Sequence, residues 1–123
     1  MTPSTATAVI GTEAGPTWYR ACALDDLEPL WGEAALIGGE QVALFRLSDG
    51  RVLAVTHRDP ATASYVMARG IVGSRGDRLT IASPLHKQVY DLVTGECLSS
   101  PALHLRTFPA RVVDGAVEIG IPA

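Results

Sequence analysis

Five side chains of the sequence could ligate a borderline or soft metal or carry a proton near neutrality: Cys22, His57, His86, Cys97 and His104. Their spacing fits no zinc pattern, since there is no CxxC, no HxH and no HExxH. Scattered histidines and cysteines of this kind are ordinarily surface or packed residues. Nucleophilic chemistry fares no better. Ser83 stands three residues before His86, yet the Ser-Pro-Leu-His turn supplies neither an orienting carboxylate nor an oxyanion hole, and no G-x-S-x-G elbow occurs. Cys22 falls within an expected strand and Cys97 just after a Gly turn, which reads as two buried, inert thiols. The run Gly70-Ile71-Val72-Gly73-Ser74-Arg75-Gly76 is only loosely a phosphate loop, because it precedes a strand and no helix N-terminus follows it. No residue is therefore assigned a catalytic role.

The elements that position these residues are short. Gly38-Gly39, Asp49-Gly50, Gly73 to Gly76, Thr94-Gly95 and Asp114-Gly115 divide the chain into apolar runs of a few residues, the pattern of an antiparallel β protein. In residues 110–121, Arg111-Val112-Val113 meets the Asp114-Gly115 turn, and Val117, Ile119 and Ile121 then alternate with Glu118 and Gly120. A second hairpin joins residues 41–47 to 51–56, and its Val52-Leu53-Ala54-Val55 run is apolar on both faces, which places it centrally. A third joins residues 79–82 to 88–92 through Ser83-Pro84-Leu85-His86-Lys87. With strands at 18–22 and 33–37, about eight to ten strands are expected by this pattern. Helix is confined to short turns near Asp25 and between Thr62 and Arg69. The expected core comprises Val42, Leu44, Phe45, Leu53, Val55, Leu79, Ile81, Tyr90, Leu92, Val112, Val117 and Ile119. The fold class is all-β.

At 123 residues the chain accommodates one domain. Residues 1–16 are rich in Thr, Ala, Gly, Ser and Pro without a sustained period and read as a flexible tail, leaving residues 17–121 as the domain. The net charge is −3, Lys87 is the only lysine, and charged residues make up 19 %. Neither a phosphate-neutralising stripe nor an aromatic platform can be assembled, which argues against nucleic-acid binding. No apolar run approaches the ~18 residues of a membrane span. The start of the chain lacks the basic residues of a signal peptide, its first being Arg20, and two lone cysteines do not form a disulfide framework. A reduced, cytoplasmic protein is expected.

The order of segments resembles a known family. Val42-Ala43-Leu44-Phe45-Arg46 leads through Ser48-Asp49-Gly50 to His57-Arg58-Asp59-Pro60. Then follow Arg69-Gly70-Ile71-Val72-Gly73, Ser83-Pro84-Leu85-His86-Lys87-Gln88, and Asp91-Leu92-Val93-Thr94-Gly95. Over residues 17–121 this is similar to the small subunits of assimilatory NAD(P)H-dependent nitrite reductases, which have a Rieske-like fold. The Ser-Pro-Leu-His-Lys-Gln block and the Asp-Leu-x-Thr-Gly block carry the specificity; the hairpin punctuation is common to Rieske-like domains. Two departures stand out: His57 replaces the usual Asn, and Ala61-Thr62 replaces a hydrophobic-Ser pair.

A Rieske domain holds a [2Fe–2S] cluster on two loops, Cys-x-His and Cys-x-x-His, two thiolates on one iron and two imidazoles on the other. The resemblance places Asp59 and Ala61 at the first pair of positions and Ser83 and His86 at the second, so only His86 remains. It therefore implies a vestigial, cluster-free site with no metal and no cofactor on this chain. It further implies an accessory subunit that assists reduction of nitrite to ammonium by a large subunit carrying FAD, sirohaem and an iron–sulfur centre. The two former ligand loops are the expected docking surface, with Arg58, Asp59, His86 and Lys87 as its polar contacts. The alternatives are a Rieske ferredoxin-type electron carrier and a stand-alone binding or regulatory domain.

Overall fold

A computed structural model describes residues 4–6, 8–11, 15–85 and 88–122. Twelve strands run through the described residues: β1 (Ser4–Ala6), β2 (Ala8–Gly11), β3 (Thr17–Ala23), β4 (Glu33–Ile37), β5 (Glu40–Arg46), β6 (Val52–Thr56), β7 (Ile71–Arg75), β8 (Arg78–Ala82), β9 (Val89–Asp91), β10 (Thr107–Phe108), β11 (Ala110–Val113) and β12 (Ala116–Ile121). They form three sheets, ordered β1-β4-β5-β6-β10, β11-β12-β3-β2 and β7-β8-β9. All pairings are antiparallel except that of β1 with β4. Short 3₁₀ turns at Leu24–Asp26 and Met67–Arg69 lie where the sequence leads one to expect helical turns.

The five-stranded sheet is the middle layer, and strand alternation explains how it feeds two cores. Val42 and Leu44 of β5, Val52 and Ala54 of β6, and Ala35 and Ile37 of β4 enter one core, closed by Val117, Ile119 and Ile121 of β12. The opposite faces of the same strands contribute Ala43, Phe45, Val55 and Ala34 to a second core. There they meet Ile81, Tyr90 and Leu92 of the three-stranded region, together with Met67, Ala68 and Leu105. A strand buried on both faces must be apolar on both, and this accounts for Val52 to Val55.

The hairpins form as expected. Asp114 and Gly115 both have positive φ (50° and 77°), as a two-residue turn matched to strand twist requires. Three core assignments need correction. Leu53 and Leu79 are half-buried satellites of the second core, and Val112 is 37 % exposed because β11 is the edge strand of its sheet. Ile71–Arg75 is itself a strand, paired residue by residue with β8, and not a loop leading into one.

Within the segment read from sequence as a tail, β1 and β2 pair through the backbone at the edges of two different sheets. Edge strands held in that way need no hydrophobic period, so periodicity gives no sign of them.

Candidate functional site

Two loops emerge at the end of the molecule where β6 and β8 finish. The first is drawn into a small ladder of its own: Arg58 bridges Tyr65, the Asp59 N–H donates to Ser64 O (2.7 Å), and the Ala63 N–H donates to Asp59 O (2.7 Å). Asp59 also accepts from the Ala61 N–H at Oδ1 (2.9 Å), an Asx turn that fixes the tip before Pro60 can drift. The second loop is closed by the Ser83 N–H donating to Gln88 O (2.8 Å).

The two loops are joined by one side-chain contact. Ser83 Oγ donates to Asp59 Oδ2 at 2.5 Å while accepting from the Leu85 N–H at 3.3 Å. Asp59 is 0 % exposed and Ser83 is buried. The two positions to which the resemblance assigned thiolates thus face one another as a carboxylate and a hydroxyl. Beneath them lies the fully buried Tyr90, whose hydroxyl finds no hydrogen-bond partner among the described residues. Burial, and then the negative charge of Asp59, push that phenol up to about 12, so it stays protonated.

Of the expected polar contacts, Arg58 is exposed and forms no ion pair among the described residues. Asp59 is beneath the surface and not on it: both carboxylate oxygens are committed internally, which makes it a brace between loops. Ala61 is exposed and has no donor atom. His86 and Lys87 lie outside the described residues. The remaining sequence candidates do not gather there. Cys22 lies on β3, where burial and the charge of Asp26 raise its thiol to about 11, while Cys97 is packed in the second core and His104 is exposed beside Glu96.

Apolar side chains surround this end. Tyr65 is 52 % exposed, Leu85 50 % and Ile71 75 %, with Trp31 at 61 % on the adjoining turn before β4. These are four of the nine large hydrophobic side chains exposed among the described residues, and their grouping on segments next to the loops makes this end a candidate interaction surface. Sequence reasoning missed this ring, because its members come from four separate segments. It also missed a cavity of about 260 Å³ lined by Trp31, Gly32, Ala34, His57, Ala68 and Arg69. An unpaired Trp-Gly in a turn was the available signal.

Three hairpin-built sheets with two loops braced across one end define a Rieske-like domain, and the family comparison agrees: the Rieske-like [2Fe-2S] domain model matches residues 17–120, and the chain belongs to that family. Within it, the chain is 38 % identical over 103 residues to the nitrite reductase (NADH) small subunit of Salmonella typhimurium, a match covering 83 % of this chain and 95 % of that protein. A crystal structure described as the NADH-dependent nitrite reductase small subunit of Mycobacterium tuberculosis is 44 % identical, with a TM-score of 0.85 over 88 % of this chain and 97 % of that one. A nitrite reductase NAD(P)H large subunit of Klebsiella oxytoca is 33 % identical over 103 residues, 84 % of this chain but 11 % of that protein.

The donors present do not fit the cluster in the family's description. A hydrogen bond of 2.5 Å between Asp59 and Ser83 is too short to admit an iron atom between the two positions, and hard oxygen donors are poor substitutes for thiolates. Ala61 cannot ligate. Cys22 lies on β3 and Cys97 is packed in the second core with its Sγ 3.9 Å from Gln88 Oε1 at the end of the second loop, and among the described residues no three His, Cys, Asp or Glu side chains converge.

Proposed function

We propose that this chain is a non-redox accessory subunit of a cytoplasmic NAD(P)H-dependent nitrite reductase. It docks on a large subunit whose flavin, sirohaem and iron–sulfur centre reduce nitrite to ammonium, and it carries no cofactor and no catalytic residue itself. The observation that carries the reading is the match to nitrite reductase small subunits over nearly their whole length. The Klebsiella relative adds support, since a domain of this kind is contained within a large-subunit polypeptide there.

Docking through the two loops is the reading the surface favours. Arg58 supplies an exposed charge bridged to the exposed Tyr65 on the first loop, Leu85 is exposed on the second, and His86 and Lys87 are the further polar contacts that the resemblance implies. Asp59 and Ser83 hold the loops at a fixed separation, which lowers the ordering cost of association. Co-expression of the tagged chain with its large subunit tests the reading. Recovery of a stoichiometric complex containing flavin and sirohaem is expected, and a free chain under conditions where the large subunit is folded and active would overturn it.

A further inference from the structure

The cavity beside the first loop has a donor set that selects for one charge. His57 is 8 % exposed, and its Nδ1 accepts the Ala68 N–H at 3.1 Å. The ring hydrogen of the neutral imidazole therefore resides on Nε2, so the free nitrogen is a donor. Burial, and then the nearby Arg69 guanidinium, hold the imidazole below its usual pKa. Among the described residues, Arg69, which is exposed, forms no ion pair and no side-chain hydrogen bond, and no carboxylate lines the cavity. Two donors, one of them cationic, with no carboxylate among the described lining residues to balance them, are the donor set of an anion site in a chain whose net charge is −3.

The walls are fixed by packing. A Cβ on Gly32 would collide with the Ala68 carbonyl and the Phe45 ring, so the turn before β4 lies directly on the Met67–Arg69 turn. That 3₁₀ turn hangs from His57 O, which accepts from the N–H groups of Val66 (2.9 Å) and Met67 (3.0 Å). On the other side Leu30 is held at φ 64°, an unfavourable conformation for a branched residue, by its N–H donating to Arg46 O (2.7 Å), and Trp31 follows it into solvent. A strained backbone that presents a tryptophan over a rigid donor pocket is the arrangement of an interface anchor, where Trp and Arg dominate.

We propose that this cavity receives a single aspartate or glutamate side chain of the large subunit, its carboxylate held by Arg69 and His57 Nε2–H and its stem covered by Trp31. The proposal rests on the docking reading above. A water's share of liquid volume is about 30 Å³, so a cavity of about 260 Å³ suits a carboxylate with its methylene stem and is small for a nucleotide or a flavin. Arginine binds a carboxylate through paired N–H donors, a planar match. A protein-borne carboxylate is favoured over a free anion because the mouth is continuous with the apolar ring: the Tyr65 ring lies 6.4 Å from that of His57, and Ile71 follows Arg69 by two residues. A free anion would leave those side chains in water.

Two measurements test this. The isolated chain is titrated with acetate at constant ionic strength balanced by chloride, following the Trp31 indole and His57 ring resonances. Saturable shifts are expected, weakened at least tenfold in Arg69→Gln; shifts that chloride reproduces, or that Arg69→Gln leaves unchanged, would overturn the pocket. The chain co-expressed with its large subunit is then compared with Arg69→Gln, Trp31→Ala and, as a control at the far end of β7, Arg75→Gln. At least a tenfold loss of affinity is expected for the first two and none for the third. Wild-type affinity in Arg69→Gln would overturn the proposal while leaving the docking reading intact; no association of the wild-type chain would remove both.

Discussion

Two buried aspartates sit at opposite ends of the three-stranded sheet, and they are compensated differently. Asp91 accepts the N–H groups of Val93 (2.8 Å) and Thr94 (2.9 Å) at Oδ1 and the Arg78 guanidinium at Oδ2 (2.7 Å). Burial alone would raise its carboxyl, but those N–H bonds and Arg78 overcome it and hold the group below the usual range. Asp59 also caps a turn through Oδ1, yet its Oδ2 is met by the Ser83 hydroxyl and, among the described residues, by no cation. The Asp91 turn is a closed structural unit, with Gly95 at φ 81° pressed against the Leu105 carbonyl. The Asp59 loop has the same turn chemistry with a neutral partner, and it is the end that carries the apolar ring. Charge compensation thus separates the end that holds the fold from the end proposed to meet a partner.

Asp91→Asn removes an ion pair and weakens two turn bonds, and a loss of about 2–4 kcal/mol is expected from chemical denaturation. Ser83→Ala leaves one Asp59 oxygen buried without its donor and is expected to cost less, about 1–3 kcal/mol. The comparison sharpens in a double-mutant cycle of Asp59→Asn with Ser83→Ala, which should show coupling between them; additive effects would mean that the loops are not braced through this contact.

Acid should act first through a third group. The folded chain protonates His57 less readily than the unfolded chain does, so stability is complete above the ordinary histidine value of 6.5 and declines as pH falls through it. His57→Gln should flatten that decline and leave the later one, below the ordinary carboxyl value, in which Asp91 is protonated; an unchanged profile would contradict the burial of the imidazole. The smallest effect is expected from deletion of residues 1–11. We propose that this segment, which lies outside the family match, is a dispensable edge whose loss costs close to zero, as expected for terminal edge strands. Failure of the shortened chain to fold would show that the edge strands are required.

The sheets were legible where local chemistry decides: the Asp114-Gly115 turn, the doubly apolar β6 and the short 3₁₀ turns all follow from residue type. β7 was not, because Gly73 and its polar neighbours form an edge strand held by backbone pairing with β8. Asp59 and Ser83 stand on the two loops the resemblance singled out, but their mutual hydrogen bond spans 24 positions, and no spacing rule announces it. The cavity is harder still, since residues 31, 57 and 69 meet only after three segments pack.

The central claim is that carboxylate and hydroxyl replace thiolates at the loop end, which leaves no cluster on this chain. Iron and acid-labile sulfide assays on the anaerobically purified chain, with its electron paramagnetic resonance after reduction, test it most directly. Neither element above trace level and no signal are predicted; stoichiometric iron with the signal of a histidine-ligated binuclear centre would contradict the account.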